Sequence, residues 1–472
     1  MNKHNVLAQK IVHSFADPNV AHDALLAFSN SPLCYDSEER YEHRFYGRRL
    51  RPHVLKYLDF SKPATSDSIS SYSAMAANRA LFTMNETEFL YLPTTEHIDK
   101  ADFDAFYSND RRAAAAVAIP YLENYLLSFL SDEVQVSGGW TLSRVREYFE
   151  DFAKASKETQ NLVSADAILS SANPENAARD WLIQLAPDFL IESSPMARYS
   201  SGNYGEIGSN LFKIIIDELG YGEFQKKHST LYESTLSSVG LVNVPHYYWQ
   251  YYLSSSLLLA NYYNMITRNK RNIFRYIGAI YLAETGFITS CRIWRDALKK
   301  ALPNLDVRYF NEHCHIDIDH SRMAFEGLVA PAIEKYGEFA AQEIVRGFEE
   351  ARWLGDFSER DFATQIQWKD RATVKKQLHN QIYPQVAKLD SIECQTFTEP
   401  RGELSITHSH DEDELCHIVS GEMEFLNGFE KSTILRAGEG IIINHHRLHG
   451  ALISSDECVY QIYTIKDEKK WV

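Results

Sequence analysis

The chain has 472 residues, 44% of them hydrophobic and 24% charged, which is length for about three domains and apolar content enough to bury their cores without disulfides. A small peptide ligand and a mainly disordered chain are both excluded. The formal charge of −16, from 48 Lys+Arg against 64 Asp+Glu, repels phosphate backbones and anionic lipid headgroups, so neither nucleic acid nor a membrane surface is expected as a partner. A small cationic substrate suits that field.

The cysteines at 34, 291, 314, 394, 416 and 458 are dispersed without a CxxC pair, which points away from zinc knuckles and disulfide frameworks and toward a reducing cytoplasmic setting. The first twenty residues are interrupted by polar side chains and lack the apolar core of a signal peptide, so export is not expected. The apolar stretch YYLSSSLLLANYYNMI at 251–266 falls short of the ~20 residues of a spanning helix and reads as a buried one.

In chain order, residues 1–130 carry helical pieces between polar turns and end in the long segment at 103–130; they read as a helical packing or dimerisation domain, and a homodimer is expected. Residues 131–355 stay helical, with long amphipathic segments such as NPENAARDWLIQLAPDFLI and YIGAIYLAETGFITSCRIWRDALKKAL, which predicts a bundle with a shared interior. The junction is placed in the 350–365 stretch, which begins EARWLGDFSERDFAT. From 356 to 472 turn residues separate short apolar or alternating runs, predicting a small all-β domain.

Within NEHCHIDIDHSRMAFE, His313, Asp317 and His320 are spaced i, i+4, i+7, and at about 100° per residue Asp317 and His320 stay within about 40° of His313 on one helix face. His315 and Asp319 fall on the opposite side. Glu192 in IESSPM and Glu284 in GAIYLAETGF are lone acids among apolar residues, while Glu218 and His228 flank a Gly-Tyr-Gly bend. A buried carboxylate without a partner is costly, and coordination of a cation offsets that cost. Carboxylates and histidines converging from separate helices predict a carboxylate-bridged di-iron centre.

The C-terminal signal is more specific. From Gly402, GELSITHSHDEDELCHIVSG reads G-x5-H-x-H-x3-E-x6-G, and GEGIIINHHRLHG adds His449 from a second strand. Side chains alternate along a strand, so His408 and His410 share a side with room for one ion between them. Neutral imidazoles suit Fe(II), Ni, Cu or Zn, and Glu414 could add an oxygen. This pattern resembles the two-part motif of the cupin superfamily, with Asn444 where cupins usually have Pro and His446 where they usually have Gly. The motif needs none of His417, His445 and His446.

Taken together, the segments APDFLIESSPM, IDELGYG, KHSTLYE, YWQYYLSSSLLL, EIVRGFEE, EPRGELS, DELCHIVSG and RLHGA resemble the N-nitrosourea synthase family along nearly all of the chain. The resemblance implies an α+β multidomain protein: an N-terminal helical domain, a haem-oxygenase-like helical bundle and a C-terminal cupin β-barrel. It implies two Fe(II) ions held by Glu192, His228, Glu284, His313, Asp317 and His320, with Glu218 as a further carboxylate, and one iron held by His408, His410 and His449. It leaves Glu414 out.

The implied activity uses dioxygen and an external reductant to hydroxylate guanidine nitrogens of Nω-methyl-L-arginine, followed by oxidative rearrangement at the cupin iron to an N-nitrosourea. Two other readings are compatible with the residues: a related N-oxygenase acting on another amine or guanidine, and a ligand-sensing cupin beside a non-catalytic bundle.

Overall fold

A computed structural model describes residues 17–31, 33–35, 46–93, 100–202, 205–389, 392–429 and 432–465. The chain packs as two compact units, one formed by residues 1–129 together with 371–472 and the other by 130–370. In the first, helices α1 (Pro18–Ser29), α2 (Tyr72–Glu86) and α3 (Asn109–Leu127) begin at local N-terminal signals. Asp17, Ser71 and Ser108 each accept a backbone N–H of the first turn, which satisfies one of the donors a helix leaves open. The 100–133 stretch contains an 18-residue window apolar enough for a membrane span, with mean hydropathy 1.3, and 56% of that window is buried inside the protein. Ala115, Ala118, Leu122 and Leu126 of α3 supply much of that packing.

Among its described residues the second unit is built of helices: α4 (Leu142–Glu158), α5 (Pro174–Phe189), α6 (Glu206–Glu218), α7 (His228–Ser238), α8 (Ser254–Arg268), α9 (Ile273–Ala301), α10 (Arg308–Ala324) and α11 (Glu338–Asp370) are the longer ones. Phe149 of α4 stacks on Tyr281 of α9 at 4.4 Å and on Phe348 of α11 at 4.7 Å, joining three helices through one ring.

Helices α9 and α11 touch backbone to backbone. A Cβ on Gly278 would come within 1.8 Å of the Ile344 carbonyl oxygen, and one on Gly347 within 2.0 Å of the Arg275 carbonyl oxygen. Backbone cannot move aside as a side-chain tip can, so Gly347→Ala should lower stability by about 1–3 kcal/mol or more. Thermal unfolding of the metal-free protein checks this, and an unchanged midpoint would mean that the crossing can open without cost.

The sequence places a junction at 355/356, but α11 runs through it to Asp370, and α12 (Ala372–Val386) precedes the first strand. The helical pattern does not stop there: Leu354, Phe362 and Ile366 continue the buried face at helical spacing, and Glu350 and Asp361 are buried beside them.

Among the described residues eight strands then follow: β1 (Cys394–Pro400), β2 (Leu404–His408), β3 (Asp413–Ser420), β4 (Glu422–Leu426), β5 (Ser432–Arg436), β6 (Gly440–Ile443), β7 (His449–Ile453) and β8 (Glu457–Ile465). They form two four-stranded antiparallel sheets, ordered β1-β8-β3-β6 and β2-β7-β4-β5. This is the two-sheet jelly-roll arrangement. Ile382 and Val386 of α12 pack with Leu415, Ile442 and Ile465 of the first sheet. In the second, β2 and β7 pair so that His408 stands directly opposite His449.

Candidate metal centres

In the helical unit, the buried face of α10 consists of Tyr309, Phe310, His313, Asp317, His320 and Ala324, whereas His315 and Asp319 are exposed. The helical phasing expected from the sequence therefore holds. Glu284 is buried on α9. Glu218 is the last residue of α6, which stops at a left-handed turn. Gly220 in that turn has φ 62°, and a Cβ there would lie 2.5 Å from the Lys227 nitrogen, so only glycine fits. The turn brings His228, the first residue of α7, back toward Glu218.

Two groups of ligand atoms result. Those of Glu192, Glu218, His228 and His313 lie within 4.8 Å of one another, and so do those of Glu218, Glu284 and His320. Glu218 belongs to both. Its Oε2 is 2.7 Å from His228 Nδ1 and its Oε1 is 3.4 Å from His320 Nδ1. Asp317 falls in neither group, but it is 1% exposed, its Oδ1 is 3.8 Å from His320 Nδ1, and neither carboxylate oxygen has a hydrogen-bond partner.

The surrounding residues aim the ligands. His313 Nδ1 donates to the Tyr309 carbonyl at 2.9 Å, turning Nε2 toward Glu192 Oε1 at 3.1 Å. Tyr309 OH donates to the same Glu192 oxygen at 3.0 Å, and Ser193 Oγ donates to Glu218 Oε2 at 3.2 Å. Asp217 Oδ2 lies 3.2 Å from His320 Nε2, leaving Nδ1 to face Glu284 and Glu218. Such partners fix ring orientation and raise ligand basicity. Asp217 has no periodic signal of its own in the sequence; only its position next to Glu218 could have drawn attention to it.

The donor set fits a pair of divalent cations. Glu192, Glu218, Glu284 and Asp317 carry four negative charges when ionised, equal and opposite to two dications, and carboxylates gathered without a cation repel one another. The protonation pattern expresses that tension. Burial pushes Glu218 up, but His228, His313 and His320 outweigh it and hold its carboxyl at about 2. Burial raises Asp317 well above the carboxylate range despite His313. Burial works to lower His320, but the hydrogen bond and charge of Glu284, with Glu218 and Asp317, lift it to about 10.

The β-unit presents a neutral site. His408, His410 and His449 place their ligand atoms within 4.8 Å of one another. Their Nδ1 atoms face outward, to the Ile406 carbonyl at 2.7 Å, Glu414 Oε1 at 3.2 Å and the Arg447 carbonyl at 2.9 Å respectively. Each of these partners accepts, so each ring carries its proton on Nδ1 and turns Nε2 inward. The Nε2 atoms of His408 and His410 are 3.0 Å apart, as expected for adjacent ligands at about 2.1 Å from one ion. Glu414 thus acts on the back of His410 and is absent from the ligand group.

His417 is not a ligand here: it stacks on Tyr383 at 3.6 Å and its Nδ1 lies 3.2 Å from His379 Nε2. His445 is bound to Asp413 at 2.7 Å. His446 sits at φ 58°, the left-handed conformation for which the usual cupin glycine is suited.

Burial pushes His408 well below the usual histidine range, His410 to about 4 and His449 to about 3, with the Arg51 cation acting in the same direction on all three. The two centres should load differently with pH. A cation entering the helical site displaces protons held by His320 and Asp317, so affinity there should rise by about one decade per pH unit for each proton released. The three imidazoles are already neutral above about pH 5, so their affinity should stay nearly flat between about pH 6 and 8. Metal titrations of the full chain at the two pH values check this; parallel slopes would contradict it.

Comparison with known proteins gives the family of the chain. A family model described as an iron-containing redox enzyme of the haem-oxygenase-like group matches residues 179–356, the stretch that holds every helical candidate ligand. The nitrosourea synthase of Streptomyces achromogenes subsp. streptozoticus is 44% identical over 453 residues, covering 95% of this chain and 96% of that protein. The chain belongs to the nitrosourea synthase family.

This family member is an iron-dependent enzyme, with a haem-oxygenase-like helical unit and two four-stranded antiparallel sheets at its C-terminal end. Among solved structures, RmlC-like cupins from Shewanella frigidimarina and Methanocaldococcus jannaschii are each 18% identical over 17% of this chain, covering 71% and 73% of their own chains, both with a TM-score of 0.15.

Proposed function

We propose that this nitrosourea synthase family member hydroxylates guanidine nitrogens of Nω-methyl-L-arginine at a di-iron centre in the helical unit. The hydroxylated product is then rearranged oxidatively to an N-nitrosourea at a single iron in the cupin. The observation that carries the reading is the presence of two donor sets, a largely buried anionic one and a partly buried neutral one, in a chain similar over 95% of its length to a nitrosourea synthase. Ferrous iron supplies the redox equivalents for dioxygen chemistry that carboxylates and imidazoles lack, with an external reductant restoring them.

The chain's own residues have defined parts in this proposal. Glu192, Glu218, His228, Glu284, His313, Asp317 and His320 would hold a pair of irons, Glu218 being the residue common to the two ligand groups. Asp217, Tyr309 and Ser193 keep the donor atoms of His320, Glu192 and Glu218 aimed inward. His408, His410 and His449 hold the third iron, and Glu414 fixes the His410 ring. Because these imidazoles bring no negative charge, the cupin centre keeps a net positive field for whatever binds there.

The test is mass spectrometry of the iron-loaded full chain given Nω-methyl-L-arginine, dioxygen and a reductant. Hydroxylated methylarginine appearing first and N-nitrosourea second supports the sequence of steps. A fully loaded enzyme that leaves methylarginine untouched rejects the substrate, and loading with only about one iron per chain rejects the di-iron centre.

A further inference from the structure

The last turn of α5 carries an acid that neither ligand group uses. Asp188 stands four residues before Glu192. Its neighbour Phe189 packs on Tyr309 of α10 at 4.9 Å and on Phe287 of α9 at 5.8 Å, and Phe287 lies 6.1 Å from the His313 ring. These rings fix the turn against the helices that carry His313 and Glu284. Among the described residues no hydrogen bond or ion pair engages the Asp188 carboxylate.

The surroundings of Asp188 are those of a crevice floor. Part of its surface stays accessible, yet burial is the main influence on its carboxyl, and the side-chain charge acting on it is that of Glu192, of the same sign. Tyr263 of α8 combines partial accessibility with burial in the same way, and it feels the charge of Asp188 and then that of Glu284. The Tyr263 OH donates to the Ala279 carbonyl of α9 at 3.4 Å. Tyr309 is reached by the charges of Glu192 and Asp188. Asp188 is thus within electrostatic reach of Glu192, Tyr263 and Tyr309, at the edge of the helical centre.

Charge and shape then name the occupant. Two dications offset the four carboxylates of the ligand set, and Asp217 is engaged by His320, which leaves Asp188 as a negative charge beside a balanced centre. An enclosed carboxylate without a partner is costly, and a cation entering the crevice removes that cost. A guanidinium fits better than an ammonium. It is less strongly hydrated, its planar fork gives two parallel N–H···O bonds to one carboxylate, and its face stacks on aromatic rings of the kind Tyr263 and Tyr309 supply nearby.

We infer that Asp188 receives the guanidinium of the substrate beside the helical metal centre and selects cationic guanidines over neutral ureas of the same shape. This rests on the substrate reading above.

The test is anaerobic calorimetry on the ferrous full chain in a His449→Ala background, which takes the cupin centre out of the measurement while the absence of dioxygen prevents turnover. The probes are Nω-methyl-L-arginine and Nω-methyl-L-citrulline, its neutral urea counterpart. The parent should bind the guanidine about tenfold or more tightly than the urea. Asp188→Asn should abolish that preference by weakening the guanidine alone, with the iron content unchanged and the fold verified by circular dichroism. Asp188→Glu, which keeps the charge one methylene further out, should restore part of it, and Asp188→Ser repeats the measurement if the Asn variant does not fold.

A parent that binds the two probes alike, or an Asp188→Asn protein that keeps the preference, overturns the inference and leaves the substrate reading intact. Equal weakening of both probes also overturns it, since a structural role or a contact with the α-ammonium acts on both. Loss of iron from the folded variant overturns it by making Asp188 a metal ligand. A parent that binds neither compound overturns the substrate reading along with it.

Discussion

Glu218→Ala is expected to empty both halves of the helical centre at once. Its two oxygens face different partners, His228 at 2.7 Å and His320 at 3.4 Å, and it is the residue common to both ligand groups. Removing it lowers the donor charge from −4 to −3 and leaves both imidazoles without the carboxylate between them. Bound iron should therefore fall from about three to about one per chain, and hydroxylation of methylarginine should disappear. Glu284→Ala is the control, since Glu284 belongs to one group only and its loss should leave about two irons. Elemental analysis of the folded variants distinguishes them. A Glu218→Ala protein that retains all its iron would show that the two groups do not share this ligand.

Replacing His449 by Ala should have the complementary effect. His449 begins β7 directly opposite His408, and its Nδ1 is held by the Arg447 carbonyl, so no nearby side chain can substitute without rebuilding the turn. With three neutral donors reduced to two, the cupin iron should be lost. The helical unit has its own core and all of its ligands. Hydroxylation should continue, and N-hydroxylated methylarginine should accumulate while the nitroso product vanishes. Chromatography coupled to mass spectrometry reads both species in one assay. Nitrosourea formed at the normal rate by this variant would move N–N bond formation to the helical centre and leave the cupin a binding role.

The sequence by itself determined what depends on short range. Helical periodicity is local, so the i, i+4, i+7 spacing was enough to put His313, Asp317 and His320 on one face and His315 on the other. Strand alternation and the two spaced motifs likewise identified His408, His410 and His449, even though β2 ends at His408 and His410 lies just beyond it. Helix α11 shows where local reading ended: the change from helical to strand texture after about 360 put a junction at 350–365, inside a helix that runs on to Asp370.

Only the tertiary structure decided the relations among distant segments. Glu218 appeared as one carboxylate among several, and its shared place depends on a left-handed turn and on α10 arriving about a hundred residues later. Asp217 behind His320 and Glu414 behind His410 could be told from ligands only by which ring nitrogen each one faces. Arg51 and Tyr72 carry no metal motif and are separated from His408 by more than three hundred residues. Only long-range packing brings the Tyr72 ring against His408 and His410.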